Sequence, residues 1–271
     1  MNNVRRFGGI PLNRPLVMGI VNVTPDSFSD GGETFAHEQA IARALQHIKD
    51  GADIVDVGGE STRPGAAPVT PDEEIRRVLP VVAALAEAGA VVSIDTRHAE
   101  VMRSAVAAGA RIINDVSALE GDPHSLQVAA RSGADIVLMH MPGTPATMRD
   151  HARYDDVIEE VMAYLAARIA TCEAAGIARM RLAIDPGFGF GKFAEDNERL
   201  LADLDRFRSL GCPILAGLSR KFGKGKGPKE RLAESIEKAL QAVAQGADIL
   251  RVHDVSETVA ALHGHVLEAG R

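Results

Sequence analysis

Eight short apolar runs, each followed by a longer amphipathic segment, are the feature that most constrains the fold of this chain. They are rich in Val, Ile and Leu, and they occupy residues 16–22, 53–59, 91–96, 111–117, 135–140, 181–187, 213–219 and 248–254. Near-continuous apolar strands are typical of a parallel sheet that is covered on both faces. The segments between the runs have apolar residues at helical spacing, which predicts that strands and helices alternate along the chain.

Glycines mark the ends of several of these predicted helices. Gly51, Gly109, Gly133 and Gly246 each precede Ala and then Asp or Arg, directly before a predicted strand. Glycine adopts the left-handed backbone that ends a helix and turns the chain into the next strand. The series therefore consists of complete strand–helix units with short connections.

Eight strand–helix units in 271 residues predict an α/β fold, the (β/α)8 or TIM barrel. A doubly wound open sheet is the alternative, but it usually has fewer strands and a glycine-rich fingerprint after the first one, which this chain lacks. No linker rich in Ser or Pro interrupts the series. We therefore expect a single domain over 1–271, in which the segment 1–15 closes the bottom of the barrel.

Charge and cysteine content limit the classes of function. The formal net charge of −7 argues against general binding of nucleic acid or membranes, so neither is expected as a partner. Cys172 and Cys212 have no CxxC spacing, which favours two reduced, buried thiols over a zinc site or a disulfide framework. No apolar stretch is long enough for a membrane span, and the N-terminus lacks the apolar core of a signal peptide, so we expect a cytoplasmic protein.

Polar side chains follow each of the eight apolar runs. They are Asn22, Glu60, Ser61, Thr62, Arg63, Asp95, Asn114, Asp115, His140, Asp185, Ser219, Arg220, Lys221, Arg251 and His253. A single buried polar residue is more often a hydrogen-bonded core group than a catalyst. A whole set at strand ends is different, because unpaired buried polar groups are costly and barrel active sites lie at the carboxyl ends of the strands.

These residue types suit two kinds of ligand. Asp95, Asn114 and Asp185 supply hydrogen-bond acceptors and an amide donor, which fit a flat heterocycle with adjacent N–H groups. A second group suits an anion with several oxygens, such as a phosphate or pyrophosphate. Its members are Asn22, Arg63, Lys221, Arg251 and His253.

Two loops differ from known nucleotide-binding motifs. The stretch "DPGFGFGK" (185–192) lacks the glycine spacing and the Ser or Thr of a P-loop. We therefore expect its glycines to let the backbone approach a ligand, while Phe188 or Phe190 offers an aromatic face. The loop "NVTPDSFSDGG" (22–32) is rich in Pro, Ser, Asp and Gly. We expect it to be a mobile lid over the site, with a rigid surface turn as the alternative.

Several long motifs, in order along the chain, resemble the dihydropteroate synthase family of the folate pathway. They are "MGIVNVTPDSFSDGG", "DIVDVGGESTRPGA", "SIDT", "IINDVSAL", "LMHMPGTPATM", "DPGFGFGK", "GLSRK" and "RVHDVSETV". The resemblance implies a transferase that condenses 6-hydroxymethyl-7,8-dihydropterin pyrophosphate with p-aminobenzoate to give 7,8-dihydropteroate and pyrophosphate. It also implies a homodimer, Mg²⁺ as cofactor and sulfonamides as inhibitors.

The resemblance assigns roles to individual residues. It implies that the pterin is held by Asp95, Asn114, Asp185 and Lys221, with Met139 packed beside it. The pyrophosphate would bind Arg63, Arg251, His253 and, through Mg²⁺, Asn22. The p-aminobenzoate pocket would contain Phe28, Thr62, Pro64, Phe190 and Phe222, and the groups closest to the chemistry would be Arg63, Asp95 and Lys221.

The region after the seventh predicted strand departs from the family pattern. Lys221 is followed directly by Phe222 and Gly223, the loop is short, and Glu234–Ser235 stands where the family has Gly-Ser. Family members receive the p-aminobenzoate carboxylate with a small hydroxyl residue and a helix N-terminus at this point, and a phenylalanine cannot donate that hydrogen bond. We therefore expect pterin and pyrophosphate binding to be retained while p-aminobenzoate and sulfonamide binding are altered.

Two alternatives to the synthase remain. One is a pterin-binding protein with altered or lost transferase activity, which the departure after Lys221 motivates. The other is a pterin-dependent methyltransferase on the same barrel, although that family lacks the phosphate-binding groups of "SRK" and "RVHD". The basic residues beyond Lys221 predict a solvated loop and helix start, which can steer anionic substrates, rather than a nucleic-acid site.

Overall fold

The computed structural model describes residues 5–23, 32–61, 68–222 and 227–269. Its strands are β1 (Arg6–Phe7), β2 (Ile10–Pro11), β3 (Leu16–Asn22), β4 (Ile54–Gly58), β5 (Val92–Asp95), β6 (Ile112–Asp115), β7 (Asp135–Met139), β8 (Leu182–Asp185), β9 (Leu215–Ala216) and β10 (Ile249–Val252). Its α-helices are α1 (Gly32–Lys49), α2 (Pro71–Glu87), α3 (Ala99–Ala107), α4 (Ser125–Ser132), α5 (Val157–Ala174), α6 (Ala194–Ala202), α7 (Pro228–Ala244) and α8 (Val255–Ala269).

The strands from β3 to β10 form one parallel sheet in the order β8-β7-β6-β5-β4-β3-β10-β9. A parallel bridge between Ile184 and Ile214 joins the two ends of this order. The sheet therefore closes into a ring with helices outside it, and the predicted (β/α)8 barrel is confirmed.

Helix α2 shows how the sequence specifies these elements. The Thr70 hydroxyl accepts a hydrogen bond from the Glu73 N–H at 3.4 Å, and Pro71 occupies the first helical position, where its missing N–H has no cost. The buried face of the helix carries Val78, Val81, Val82 and Leu85. This spacing covers one side of the helix, and that side packs against the sheet.

The predicted glycine stops are confirmed. Gly51, Gly109, Gly133 and Gly246 have φ values of +99°, +111°, +74° and +93°. Non-glycine residues rarely adopt this left-handed region, since their Cβ would clash with the backbone. Each glycine turns the chain from a helix on the outside of the barrel into the next strand.

An N-terminal hairpin lies at the end of the barrel where the strands begin. Strands β1 and β2 pair antiparallel, and the side chain of Phe7, the last residue of β1, is fully buried. It belongs to an apolar cluster with the first residues of β3, β4, β6, β9 and β10, namely Leu16, Ile54, Ile112, Leu215 and Ile249. The carboxyl ends of the strands therefore face the opposite end of the molecule, where the polar residues lie.

Among the described residues, none of the helices combines the length and the apolar character that crossing a bilayer requires.

Candidate functional site

A hydrogen-bonded charge network joins four strands at the carboxyl end of the barrel. The Arg251 Nε donates to Asp56 Oδ2 at 2.6 Å, and its Nη2 donates to Asp95 Oδ2 at 2.5 Å. The Asn114 Nδ2 donates to the same Asp56 Oδ2 at 3.1 Å. Residues of β4, β5, β6 and β10 thus meet, although Asp56 and Arg251 are separated by 195 positions in the chain. The structure brings the predicted Asp95, Asn114 and Arg251 together.

Asp56 is a member of this network that the sequence analysis missed. Its side chain is fully buried, and its Oδ1 has no hydrogen-bond partner among the residues that the structure describes. An unpaired buried carboxylate oxygen is costly, so it marks an acceptor that a ligand N–H can use. The signal in the sequence is the second acid of the run at 53–59, which lies between two valines where a strand interior would otherwise have no charge.

Burial and neighbouring charges set the ionisation of this network. Burial is the main cause that raises the pKa of Asp95 to about 7; the Arg251 charge opposes this shift and the Asp56 charge adds to it. For Arg251, burial lowers the pKa, but Asp56 and Asp95 outweigh that effect and raise it above its usual range. The guanidinium therefore remains charged, and Asp95 can exchange a proton near neutral pH.

Asp185 and Lys221 both lie beside Gly217, where Arg251 is also a neighbour. A Cβ placed on Gly217 would lie 3.6 Å from Lys221 Nζ and 3.8 Å from Asp185 Oδ2. Burial lowers the pKa of Lys221 to about 8, and the Asp185 charge opposes that shift. Burial raises the pKa of Asp185, and Lys221 opposes that shift in turn. The pair supplies one acceptor and one donor beside a bare glycine backbone.

Phe190 lies between Lys221 and an apolar cluster. The Lys221 Nζ is 4.5 Å from the centroid of the Phe190 ring and donates to the Phe188 carbonyl oxygen at 2.5 Å. Phe190 also packs against a cluster of buried side chains that includes Met139. Its other members are Val116, Met141 and Met148. The predicted Met139 and Phe190 are therefore neighbours of the same patch, beside the Lys221 ammonium.

The described residues that were expected to bind an anion have separate surroundings. The backbone N–H of His253 and its Nδ1 lie 3.3 Å and 3.1 Å from the Ser219 Oγ, which fixes the orientation of the ring. Burial lowers the pKa of His253 to about 4, so its imidazole is neutral at pH 7. Asn22 is exposed at the carboxyl end of β3, in register with Gly58. Arg251, also predicted for the anion, instead donates to two carboxylates.

Some of the other strand-end residues hold the local backbone. Asp115 accepts hydrogen bonds from the Ser117 N–H, the Ser117 hydroxyl and the Leu119 N–H at 2.7, 2.6 and 3.0 Å. Leu119 has a φ of +64°, so these bonds stabilise a backbone conformation that leucine rarely adopts. Arg220 forms an ion pair with Asp254 and has its backbone N–H bound by the Ser235 hydroxyl at 3.0 Å.

Phe222 and the two cysteines are at least partly buried. The Phe222 ring is half-buried, packs against the core and lies 5.3 Å from the Lys238 Nζ of α7. Cys172 and Cys212 are free and buried, and burial raises the pKa of both thiols to about 11. Both side chains are thus protonated thiols in the core.

Four predicted site residues lie outside the described residues: Phe28, Thr62, Arg63 and Pro64. Most of the loop expected to be a lid lies outside them too. Their predicted roles stay predictions. Glu60, two residues after the end of β4, accepts two hydrogen bonds from the Arg97 guanidinium and one from the Val69 N–H.

The described residues offer few ligands for a magnesium ion. Within the described ranges no three His, Cys, Asp or Glu side chains come together as a metal-binding group. Asn22 offers one exposed amide oxygen. Mg²⁺ is commonly held by one or two protein oxygens together with substrate phosphates and water, so this donor fits a substrate-bridged ion rather than a resident one.

Comparison with known proteins gives one consistent family. A model of the family "Pterin binding enzyme" matches residues 18–253. The dihydropteroate synthase of Escherichia coli strain K12 is 50% identical over 265 residues, which cover 96% of this chain and 93% of that protein.

Two solved structures agree closely with the fold. A dihydropteroate synthase from Xanthomonas albilineans with 4-aminobenzoic acid has a TM-score of 0.92 and 49% identity, and the match covers 99% of this chain and 100% of that one. The Yersinia pestis enzyme in a sulfonamide drug complex has a TM-score of 0.90 and 44% identity, with 97% of each chain covered.

Proposed function

The chain belongs to the dihydropteroate synthase family, and we propose that the polar side chains at the carboxyl ends of its strands carry out the synthase reaction. That reaction condenses 6-hydroxymethyl-7,8-dihydropterin pyrophosphate with p-aminobenzoate. The observation that carries the assignment of residues is the network of Asp56, Asp95, Asn114 and Arg251, which leaves a buried carboxylate oxygen open to a ligand.

The pterin would bind between this network and the Asp185–Lys221 pair. Carboxylates accept parallel hydrogen bonds from adjacent N–H groups, which the edge of a pterin ring presents. Asp185 and Lys221 would supply an acceptor and a donor together, and Met139, which belongs to the apolar cluster beside Phe190, would pack against the pterin ring. Because each side chain leaves a strand of the closed barrel, its position is set before the substrate binds, which lowers the entropic cost of orientation.

The departing pyrophosphate needs positive charge. We assign its binding to His253, Asn22, Arg63 and the N–H groups of Arg251 that the carboxylates do not occupy. Asn22 would hold Mg²⁺ at the pyrophosphate, and the metal would supply Lewis acidity to the leaving group when bound. His253 is neutral at pH 7, so it contributes a hydrogen bond rather than a charge.

Departure of the pyrophosphate leaves a cation on the pterin methylene carbon. The carboxylates of Asp95 and Asp56 are fixed charges that stabilise it without reorganisation, since Arg251 and Asn114 already hold them. The amine of p-aminobenzoate then attacks the methylene carbon and forms the C–N bond, and the resulting ammonium loses its proton to water. The protein needs no nucleophile of its own.

The second substrate would bind beside Phe190 and Lys221. The aromatic ring can pack on Phe190, and the Lys221 ammonium lies at that same ring. Sulfonamides resemble p-aminobenzoate in shape and charge, so we propose that they bind here as inhibitors. We also propose a homodimer and, because the two buried cysteines are free thiols, a cytoplasmic location.

A turnover assay tests the assignment. Purified protein with the pterin pyrophosphate, p-aminobenzoate and Mg²⁺ should release pyrophosphate and form 7,8-dihydropteroate in equal amounts, and removal of the metal with EDTA should stop both. An Asp185→Asn variant should bind the pterin more weakly. Binding of the pterin without release of pyrophosphate would instead support a pterin-binding protein that has lost transferase activity.

A further inference from the structure

A buried lysine that the reaction does not use lies behind the aromatic side of the site. Lys192 is 8% exposed. Its Nζ is 2.9 Å from His140 Nδ1, 3.2 Å from the His140 carbonyl oxygen and 3.0 Å from the Phe190 carbonyl oxygen. The chain thus folds back so that an ammonium group closes the loop between β8 and α6 onto the end of β7.

The charged form of Lys192 has one hydrogen-bond donor for each of these three acceptors. An ammonium group has three donors, and here it meets three acceptors. Burial and the nearby Lys192 charge lower the pKa of His140 to about 3, so the His140 Nδ1 is free to accept the hydrogen bond. A neutral amine would have only two donors and would leave one buried acceptor unsatisfied, which is costly.

The glycines of the same loop allow this close approach. A Cβ on Gly187 would lie 1.9 Å from the His140 carbonyl oxygen, and one on Gly191 would lie 2.4 Å from the Pro142 Cγ. Only glycine fits at such contacts. The loop is therefore pressed against the segment after β7, and the Lys192 ammonium ties the two backbones together at that contact.

We propose that Lys192 is a positioning residue that fixes the main chain of Phe190 and thereby sets the binding site for the aryl amine substrate. The inference rests on the function proposed above. Lys192 donates a hydrogen bond to the Phe190 carbonyl oxygen. The Phe190 ring lies between Lys221 and the apolar cluster that contains Met139. Lys192 makes no hydrogen bond to Asp56, Asp95 or Asn114. It acts on the pterin side only through its charge, which opposes the rise that burial causes in the pKa of Asp185, so its removal should affect the pterin side less than the Phe190 side.

Removing the ammonium should therefore separate the two substrates. In Lys192→Met the KM for p-aminobenzoate should rise about tenfold or more, equivalent to about 1.4 kcal/mol of lost binding. The KM for the pterin pyrophosphate should change less than about twofold. Lys192→Arg keeps the charge and donors and should recover part of the loss. Lys49→Met, an exposed lysine in the last turn of α1, should match the wild type.

Dependence on pH gives a second readout. Burial lowers the pKa of Lys192 to about 7. The charge of Lys221 adds to this shift, and the charges of Asp185 and Asp196 oppose it. The KM for p-aminobenzoate should therefore rise as the pH increases above about 7. Lys221 titrates nearby, with a pKa lowered to about 8, so the Lys192 contribution is the difference between the wild-type and Lys192→Met profiles. His140 remains neutral throughout.

A double-mutant cycle distinguishes positioning through Phe190 from general structural damage. If Lys192 acts through Phe190, Lys192→Met should change the KM for p-aminobenzoate by less than about twofold in a Phe190→Ala background. Additive effects, or an equal rise in both KM values for Lys192→Met, would overturn the inference. If Lys192→Met does not fold, as judged by circular dichroism, the same cycle is run with Lys192→Arg.

The test is separate from that of the proposed function. A wild-type protein without turnover would refute the synthase assignment. Calorimetric titration of p-aminobenzoate in the presence of pyrophosphate and Mg²⁺ would then be compared between the wild type and Lys192→Met. An unchanged Kd in that titration would overturn the role of Lys192 as well, and a Kd at least about tenfold weaker would support it.

Discussion

Two carboxylates, Asp56 and Asp95, share the single guanidinium of Arg251. This sharing leaves net negative charge at the place where the pterin cation would form. Burial is the main cause that raises the pKa of Asp95 to about 7, and the neighbouring Asp56 adds to it. The ionised fraction of Asp95 therefore increases as the pH rises through about 7, so its charge can be varied in the range where enzyme assays are made.

The activity should follow the ionisation of Asp95. As the pH falls below about 7, protonation removes the charge that stabilises the cation, so kcat/KM should fall by up to about tenfold per pH unit. Asp95→Asn should lower kcat/KM by about a hundredfold and flatten this acid limb, since the amide cannot titrate. The measurement is kcat/KM for the pterin pyrophosphate between pH 5.5 and 8.

The control for this experiment is Asp72→Asn, which changes an exposed acid in the first turn of α2. It should keep both the wild-type rate and the wild-type acid limb. An acid limb that persists in Asp95→Asn would show that another group, such as Asp115, controls the titration.

Which of these residues could be predicted from the sequence depends on where they lie along a strand. Asp95, Asn114 and Asp185 end apolar runs, so a parallel barrel places them at one end without further information. Asp56 lies inside a run and was missed. The pairing of Arg251 with Asp56 could not be predicted either, because it depends on the registers of β10 on β3 and of β3 on β4, which join residues far apart in the chain.

At the scale of single elements, the seventh barrel strand is the least regular. The sequence predicts a strand over 213–219, but β9 has only two residues, Leu215–Ala216. Pro213 has no N–H to donate to a neighbouring strand, and the Ile214 N–H is bound instead by the Asp248 carboxylate at 2.9 Å. The chain then leaves the sheet at Gly217, and Arg220 takes a φ of +62°.

This irregular strand leads into the region that departs from the family pattern. Phe222 packs against the core next to Lys238 of α7, and the Lys238 ammonium also binds Glu198 of α6 at 2.7 Å. Ser235 does not stand at the start of α7. It lies in the second turn of that helix, donates to the Arg231 carbonyl and accepts from the Arg220 N–H. Its hydroxyl is thus engaged in holding the loop.

Replacing Phe222 tests whether this loop weakens binding of the second substrate. Phe222→Ser supplies a hydroxyl donor, and a hydrogen bond to a carboxylate contributes about 1.5–3 kcal/mol, so the Kd of p-aminobenzoate should tighten about tenfold. Phe222→Leu keeps an apolar side chain without a donor and should not tighten it. Calorimetric titration of both variants decides the matter. A family-like affinity in the wild type that Phe222→Ser leaves unchanged would show that the departure does not affect the substrate.

At the scale of the whole molecule, the two ends of the barrel have different chemistry. The end where the strands begin is apolar and contains Phe7 in contact with the first residues of several strands. The other end holds the charge network around Arg251. The alternation of strands and helices was sufficient to predict this division, because all strands of a parallel barrel begin at one end and finish at the other. The length of each strand could not be predicted, because neighbouring strands determine where the hydrogen-bond ladder stops.

This division predicts that changes at the apolar end alter stability and leave the chemistry intact. Phe7 is fully buried, so Phe7→Ala should cost about 3–5 kcal/mol through the cavity it leaves. For a domain of this size such a loss lowers Tm by about 10 °C.

Met180, which precedes β8 and is 74% exposed, provides the control, since Met180→Ala should change the free energy of unfolding by less than about 0.5 kcal/mol. Below the Tm, kcat and both KM values of Phe7→Ala should equal those of the wild type. A Phe7→Ala variant with normal Tm and reduced kcat would instead mean that the hairpin communicates with the catalytic end, and the separation of the two ends would be wrong.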